Sequence, residues 1–523
     1  MKTSVKQVIA VIAIVAIIAA SLPIAAFGMA ETNLNVQPDE IWDGSISEGF
    51  AGGTGTEADP YLISNGAELA YLAQQTNSGI SYQGSYFALT NDIYLNDTTD
   101  WERWGNDTAP ANEWTAIGTE SSPFSGSFDG NGFAVHGVYI NEPEAYYQGL
   151  FGCASRSTIA NIGVSESCIY AFYHVGGVVG DSYRCTISNC YNVGSVTGER
   201  EVGGIVGTNT STVDNCYNTG SVTGIESVGG VVGCNWCSSA VTNCYNTGSV
   251  TGLGSVGDEG ESSWGVGGVV GFNAAEEWDA SVVNCYNSGS VTGENSVGGV
   301  VGQIYGESAN GYAENCYNIG SVTGSGNVGG VVGGISGYSG NGYAENCYNT
   351  GSVTGENSVG GVVGGISGYS TNCYAENCYN VGSVTGTENV GGMAGSIGDN
   401  INVEVTNCYY LDTCCESGDE YAVALTDEQM QAEASFVGFD FEIVWTMEGN
   451  QAYPYPELIS NPHTGSVVPG DLDGDGEITT IDANMVLRIA LYLEDYNSNG
   501  DVDNDGTVTL ADANTILRWA LGL

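Results

Sequence analysis

Basic residues are nearly missing from this 523-residue chain: eight lysines and arginines stand against 61 aspartates and glutamates, a formal net charge of −53. Lys2 and Lys6 are the only lysines, and the arginines are Arg103, Arg156, Arg184, Arg200, Arg488 and Arg518. A surface of that sign repels phosphate backbones and anionic bilayers, which argues against nucleic-acid and anionic-membrane partners. It reads instead as a solubilising surface suited to salt or calcium. Histidine is scarce too: His136, His174 and His463 are scattered, with no serine or cysteine partner motif beside them. A lyase needs a cationic base, and a hydrolase needs paired carboxylates in a cleft. Glu314, Glu345 and Glu376 recur at one repeat position and read as a solvated corner. No stretch after residue 30 is long and apolar enough to span a bilayer.

What the chain has in quantity is glycine, 80 residues, and it is periodic. The unit Asn-Cys-Tyr-Asn-x-Gly-Ser-Val-Thr-Gly, followed by Val-Gly-Gly-Val-Val-Gly, first appears whole from Asn189 to Gly207. Its cysteines are Cys190, Cys216, Cys244, Cys285, Cys316, Cys347, Cys378 and Cys408, spaced by 26 to 41 residues. Self-similarity at that period means stacked units. Each unit holds short β-prone runs such as Asp214 to Asn218, Ser221 to Thr223 and Val228 to Val232, separated by glycines able to take positive φ at corners. A lone turn cannot bury its apolar side, whereas turns stacked about 4.8 Å apart bury a continuous core. Neither a leucine ladder nor a four-strand blade is present, so the expected fold is mainly β, a right-handed parallel β-helix with caps.

The Gly-Gly-[Val/Ile]-Val-Gly signature resembles the GLUG-motif family of surface proteins over residues 149–410, with Gly149-Leu150-Phe151-Gly152 as a degenerate first copy. The resemblance implies an extracellular β-solenoid and supplies no catalytic residues. Residues 31–148 are expected to form an N-terminal cap: Asn65 with Glu68 caps a short helix through about Gln75, and Phe124 to Ile140 turns at Asp129-Gly-Asn-Gly132 as a hairpin would. The segments from Ala51 to Ser64 and from Phe124 to Gly132 resemble what usually precedes such repeats. After Tyr409 the period stops. Residues 411–458 are expected to form a C-terminal cap, with a capping box at Thr426 and Gln429 and bulky cover from Trp445 and Tyr453-Pro-Tyr-Pro456. A linker follows at 459–470.

At the start, Lys2 and Lys6 precede an apolar run from Val8 to Ala20, then Pro23 and small residues to Ala30. Residues 1–30 read as a secretory signal peptide, with no membrane insertion once it is cleaved and an extracellular or cell-surface location. Secretion permits glycosylation at the sequons of Asn96, Asn106 and Asn209. Of sixteen cysteines, the eight repeat cysteines are expected as a mostly reduced, inward stack. Cys234, Cys237, Cys373 and the vicinal Cys414-Cys415 are better disulfide candidates. With cysteine inward, alternation sends the column Tyr191, Tyr217, Tyr245, Tyr286, Tyr317, Tyr348, Tyr379 and Tyr409 outward, either to stack on sugars or, the favoured reading, on one another.

The last segment has a different chemistry. Asp471, Asp473, Asp475, Glu477, Thr479 and Asp482 occupy positions 1, 3, 5, 7, 9 and 12 of a twelve-residue loop with Gly476 at its sharp turn, and Asp501, Asp503, Asp505, Thr507, Thr509 and Asp512 repeat it 30 residues later. Oxygen ligands at that spacing suit calcium, Glu477 and Thr507 lending backbone carbonyls. Aspartates packed so closely repel one another unless a cation neutralises them. Each loop leads into a helical pattern, 482–491 and 512–521, without the entering helix of an ordinary EF-hand. The duplicated loop-helix over residues 471–523 resembles a type I dockerin. That resemblance implies two calcium ions and docking to a cohesin module of a scaffoldin or surface protein. In that family the partner is selected at positions that fall here on Thr480, Ile481, Leu487, Arg488, Leu510, Ala511, Leu517 and Arg518. The second half lacks the usual Ser/Thr pair, and Leu487 and Leu517 also suit a module core. The sequence thus points to a secreted non-catalytic component docking through calcium, its solenoid an adhesin, carbohydrate-binding or spacer arm in polysaccharide degradation. The runner-up is a β-helix lyase or glycoside hydrolase of a cellulosome-like complex.

Overall fold

The computed structural model describes residues 41–463, apart from 106–107, 255–263, 370, 399–401, 417, 420 and 448–452, and beyond them Val486, Val502, Val508, Thr509, Ala513 and 515–518. The expected signal peptide, most of the linker and most of the calcium module lie outside the described residues.

A chain whose β-prone runs are too short to form a sheet within one repeat must pair them between repeats, and this one does. Its strands form three parallel ladders, of 19, 12 and 16 strands among the described residues, wound into a solenoid of about nine turns. One turn runs from Val206–Asp214 in the first ladder to Tyr217–Asn218 in the second, then through Val222–Gly224 and Glu226–Gly229 in the third. The next turn opens with Val232–Trp236, and Val206 pairs with Val232 as Tyr217 pairs with Tyr245. Phe151, in the degenerate first copy, stacks in register under Val179.

Alternation along each strand fills the interior with identical columns. All of the repeat cysteines are buried, each thiol directed at a backbone carbonyl, as from Cys285 Sγ to Val283 O at 3.3 Å. The valine column from Val196 to Val384 is buried throughout. Burying each valine contributes about 1.5–3 kcal/mol relative to exposure.

The repeat glycines serve a purpose other than the one expected. Positive φ at the corners belongs to non-glycine residues, such as Asn189, Asn215 and Asn243 near 53° and Glu201 and Ser227 near 52°. The glycines allow close backbone approach: a Cβ on Gly204 would lie 2.2 Å from Gly230 O, and one on Gly203 2.0 Å from Val206 O.

Strands stack well before residue 149: Tyr61–Ile63, Tyr86–Leu89 and Ser127–Asp129 already lie in the first ladder. The helix Gly66–Asn77 packs Leu69, Leu72 and Ala73 into the same core, its first turn held by Glu68 N donating to Asn65 Oδ1 at 3.0 Å. The expected hairpin at Asp129 to Gly132 is absent. Asn131 and Gly132 do take the left-handed pair, φ 52° and 78°, but they pass the chain from Ser127–Asp129 to Ala134–His136 in another ladder, and both strands run parallel to their neighbours.

At the other end Thr426 and Gln429 form the expected capping box on Asp427–Met430. The chain then folds back as a strap along the tyrosine column, burying Phe436, Phe439 and Trp445 against Tyr317, Tyr348, Tyr379 and Tyr409. Residues 459–463, expected in the linker, belong to this strap: Asn461 Nδ2 donates to Asn315 O at 3.0 Å, and Tyr317 Oη to Pro462 O at 2.9 Å. No helix among the described residues is long and apolar enough to cross a membrane.

Candidate functional site

The calcium loops fall almost wholly outside the described residues. So do the expected ligands other than Thr509 and the expected partner residues other than Leu517 and Arg518. What is described is the packing that joins the two halves. Val486 from the first helical pattern is buried with Ala513 and Ile516 from the second, and Val502 and Val508 of the second loop pack on them. Ala513 N donates to Thr509 O at 3.3 Å, the first turn of a helix leaving the loop. Ile516 is fully buried while Leu517 is 38% exposed and Arg518 is exposed, so Leu517 is not part of that core. The oxygen-only side chains at alternate loop positions fit a hard cation such as calcium.

On the solenoid the tyrosine column is stacked from Tyr191 to Tyr379, and Tyr409 packs edge-on against Phe436 and Phe439. Ring centroids from Tyr191 to Tyr379 are 4.9 to 5.3 Å apart with interplanar angles of at most 9°. The ring faces are spent on one another, and the strap covers the last four rings. This is the favoured expectation, and it removes the column as a sugar-stacking platform.

None of the disulfide candidates is bonded; all sixteen cysteines are free thiols. Cys234 is buried beside Phe272, with Trp236 and Trp264 packed on them. The glutamate row is half-buried rather than a freely solvated corner. Burial, with repulsion between neighbours in register, pushes the Glu345 carboxyl up.

Two asparagine ladders escaped sequence reasoning. The asparagine after each tyrosine faces inward and donates from Nδ2 to the next Oδ1 at 2.7 to 2.8 Å, from Asn192 through Asn218, Asn246, Asn287, Asn318 and Asn349 to Asn380. The asparagine before each cysteine lies at a left-handed corner and links outward, as Asn215 to Asn189 at 2.8 Å. Two sequons are consumed by packing: Asn209 and Asn96 are buried, with both amides donating to backbone carbonyls. Asn106 lies outside the described residues.

The histidines lie apart, and each stacks on a tyrosine ring, His463 on Tyr453. His136 stacks on Tyr94 and lies 3.4 Å from Glu166. His174 stacks on Tyr147 and contacts Glu201 at 2.9 Å through Nδ1. Glu201 also accepts from Tyr173 Oη at 2.9 Å and from Thr208 Oγ1. Burial pushes this carboxyl up, but the hydrogen bonds from His174, Thr208 and Tyr173 outweigh it and hold it below its ordinary value. Asp181, paired in register with Thr208, goes the other way: burial, opposed by His174 and reinforced by Glu201 and Glu120, lifts it. Sequence spacing could not show this cluster, since its members come from three successive turns.

Comparison with known proteins matches residues 469–518 to the dockerin type I domain, a calcium-binding domain, and residues 198–223 and 262–292 to the GLUG motif. Halomucin of Haloquadratum walsbyi is 30% identical over 170 residues, 32% of this chain and 2% of its own length. A provisionally named Gly-rich membrane protein of Evansella cellulosilytica is 28% identical over 196 residues, 31% of this chain and 21% of its own. The chain thus spans a small part of either relative. A crystal structure from Bacteroides ovatus, provisionally named as an immunoglobulin A1 protease, aligns over 79% of this chain and 95% of its own at TM-score 0.32 and 19% identity, too distant to carry an argument. The chain thus carries the GLUG motif in two stretches of its stacked repeats and a type I dockerin domain at its C-terminus.

Proposed function

We propose that this protein is secreted and attaches, without catalysing a reaction itself, to a cohesin-bearing extracellular assembly through its calcium-loaded dockerin. The solenoid projects from that anchor as an arm, in an assembly that degrades polysaccharide. The observation that carries the reading is the pair of matched loops 30 residues apart inside the dockerin match. Two calcium ions are held, one by Asp471, Asp473, Asp475, Glu477, Thr479 and Asp482, the other by Asp501, Asp503, Asp505, Thr507, Thr509 and Asp512. Each ion holds its loop to the helix that follows. The cohesin-facing surface comprises Thr480, Ile481, Leu487, Arg488, Leu510, Ala511, Leu517 and Arg518; the exposure of Leu517 supports this.

The test is a pull-down from the native extracellular fraction with calcium and with chelator. Recovery of a cohesin protein only with calcium is the expected result. Absence of any calcium-dependent partner makes a free adhesin the better description.

A further inference from the structure

The tyrosine column cannot offer ring faces to a ligand, but another corner can. Tyr146, 49% exposed, packs edge-on against Phe172 at 5.4 Å and Tyr173 at 5.8 Å, with Tyr147 at 6.2 Å. Together they form an aromatic shelf at the first turns. His174 is fixed beside it, stacked on Tyr147 at 4.6 Å and on Tyr173 at 4.0 Å, and tied through Nδ1 to Glu201. Both Glu201 oxygens are taken, one by Tyr173 and the other by Thr208 and His174. Asp181 is different. It is half-buried on the strand beside Thr208, in register with that residue, whose hydroxyl bonds His174 and Glu201, and no hydrogen bond from a described residue reaches its carboxylate. Later turns do not repeat the arrangement: Ser227 and Ser296 stand at the corner of His174 and Glu201, and Cys234 and Phe272 stand at the register of Asp181 and Thr208.

We propose that this corner is a binding site for a neutral glycan, whose sugar C–H face lies on Tyr146 while its hydroxyls donate to Asp181. A half-buried carboxylate without a donor favours a ligand rich in O–H groups. The aromatic shelf favours one with apolar faces that tolerates an exposed ring. An anionic polymer is disfavoured by Asp181, Glu120 and the net charge of −53. A divalent cation is disfavoured because Glu201 has no free oxygen to ligate it.

This deepens the reading of the solenoid as an arm and rests on it only for an extracellular setting. The test is affinity electrophoresis of the full chain in chelator, through gels holding xyloglucan, mixed-linkage β-glucan or galactomannan, with polygalacturonate as the charged control. At least one neutral polymer should retard the protein and polygalacturonate should not. Y146A and D181N should each weaken retardation at least tenfold, while Y369A, a distant exposed tyrosine, should leave it unchanged. The site is overturned if none of the three neutral polymers retards the protein, if Y146A and D181N bind as the parent does, or if Y369A loses as much. Because chelator disables docking, retention here with no cohesin partner in the pull-down would remove the docking reading and leave this one standing.

Discussion

Asn287 shows how a single side chain can hold several turns. It is fully buried, accepts from Asn246, and donates to Gly289 O and Asn318 Oδ1, all at 2.8 Å. Replacing it with alanine strips partners from three buried polar groups, so N287A should cost about 2–4 kcal/mol and lower the midpoint of thermal unfolding. The Glu201 and Asp181 carboxyls should respond in opposite senses. Glu201 is held below its ordinary value, so its contribution is present above the unfolded carboxylate pKa and lost as pH falls through the folded one. Asp181 is raised, so its ionisation becomes a cost as pH rises through its folded pKa. At neutral pH, E201Q should therefore destabilise by on the order of 2 kcal/mol and D181N should stabilise; chemical denaturation at pH 7 reads both. The inward cysteines and stacked tyrosines are legible in the sequence because alternation alone sets them. The asparagine ladders are not, because a lone asparagine looks the same whether its amide meets water or the next turn.

Among the larger elements, the strap turns an ordinary cap into a brace along the side of the solenoid. It reaches back from Tyr409 Oη, which donates to Val437 O at 2.9 Å, to His463, stacked on Tyr453 at 3.7 Å and 3.1 Å from Tyr348 Oη. Burial lowers the His463 pKa to about 4. A depressed histidine stabilises the fold above its unfolded pKa of about 6.5 and loses that contribution as pH falls toward 4, a total of about 3 kcal/mol. Limited proteolysis should accordingly cut residues 436–463 faster at pH 4.5 than at pH 7, and H463A should be cut at similar rates at both. The capping box of this region is readable at Thr426 and Gln429 because its partners are three residues apart. The strap is not, because its partners lie 28 residues away, as Val437 from Tyr409, to 74 and more, as Tyr453 from Tyr379. Turn chemistry misleads in a related way: Asn131-Gly132 has the backbone of a hairpin, yet a solenoid corner needs the same left-handed pair, and only the destination of the next strand tells them apart.

Across the whole molecule two kinds of stability are joined in one chain. The solenoid rests on columns of buried valine, cysteine and asparagine that need no ion, while the module has a small described core of Val486, Ala513 and Ile516 beside loops crowded with aspartate. Four aspartates and a glutamate in the first loop and four aspartates in the second repel one another at neutral pH unless a cation sits among them. Calcium binding should therefore supply folding free energy to the module and close to none to the solenoid. Calorimetry of the full chain should show a calcium-dependent transition that chelator shifts down or abolishes, and a separate one that chelator leaves in place. Circular dichroism should lose helix, not strand, on chelation. Asp471→Ala with Asp501→Ala should reproduce the chelator effect in saturating calcium. A single transition that moves as a whole with calcium would mean instead that the ions brace the solenoid, and the two parts would have to be treated as one folding unit.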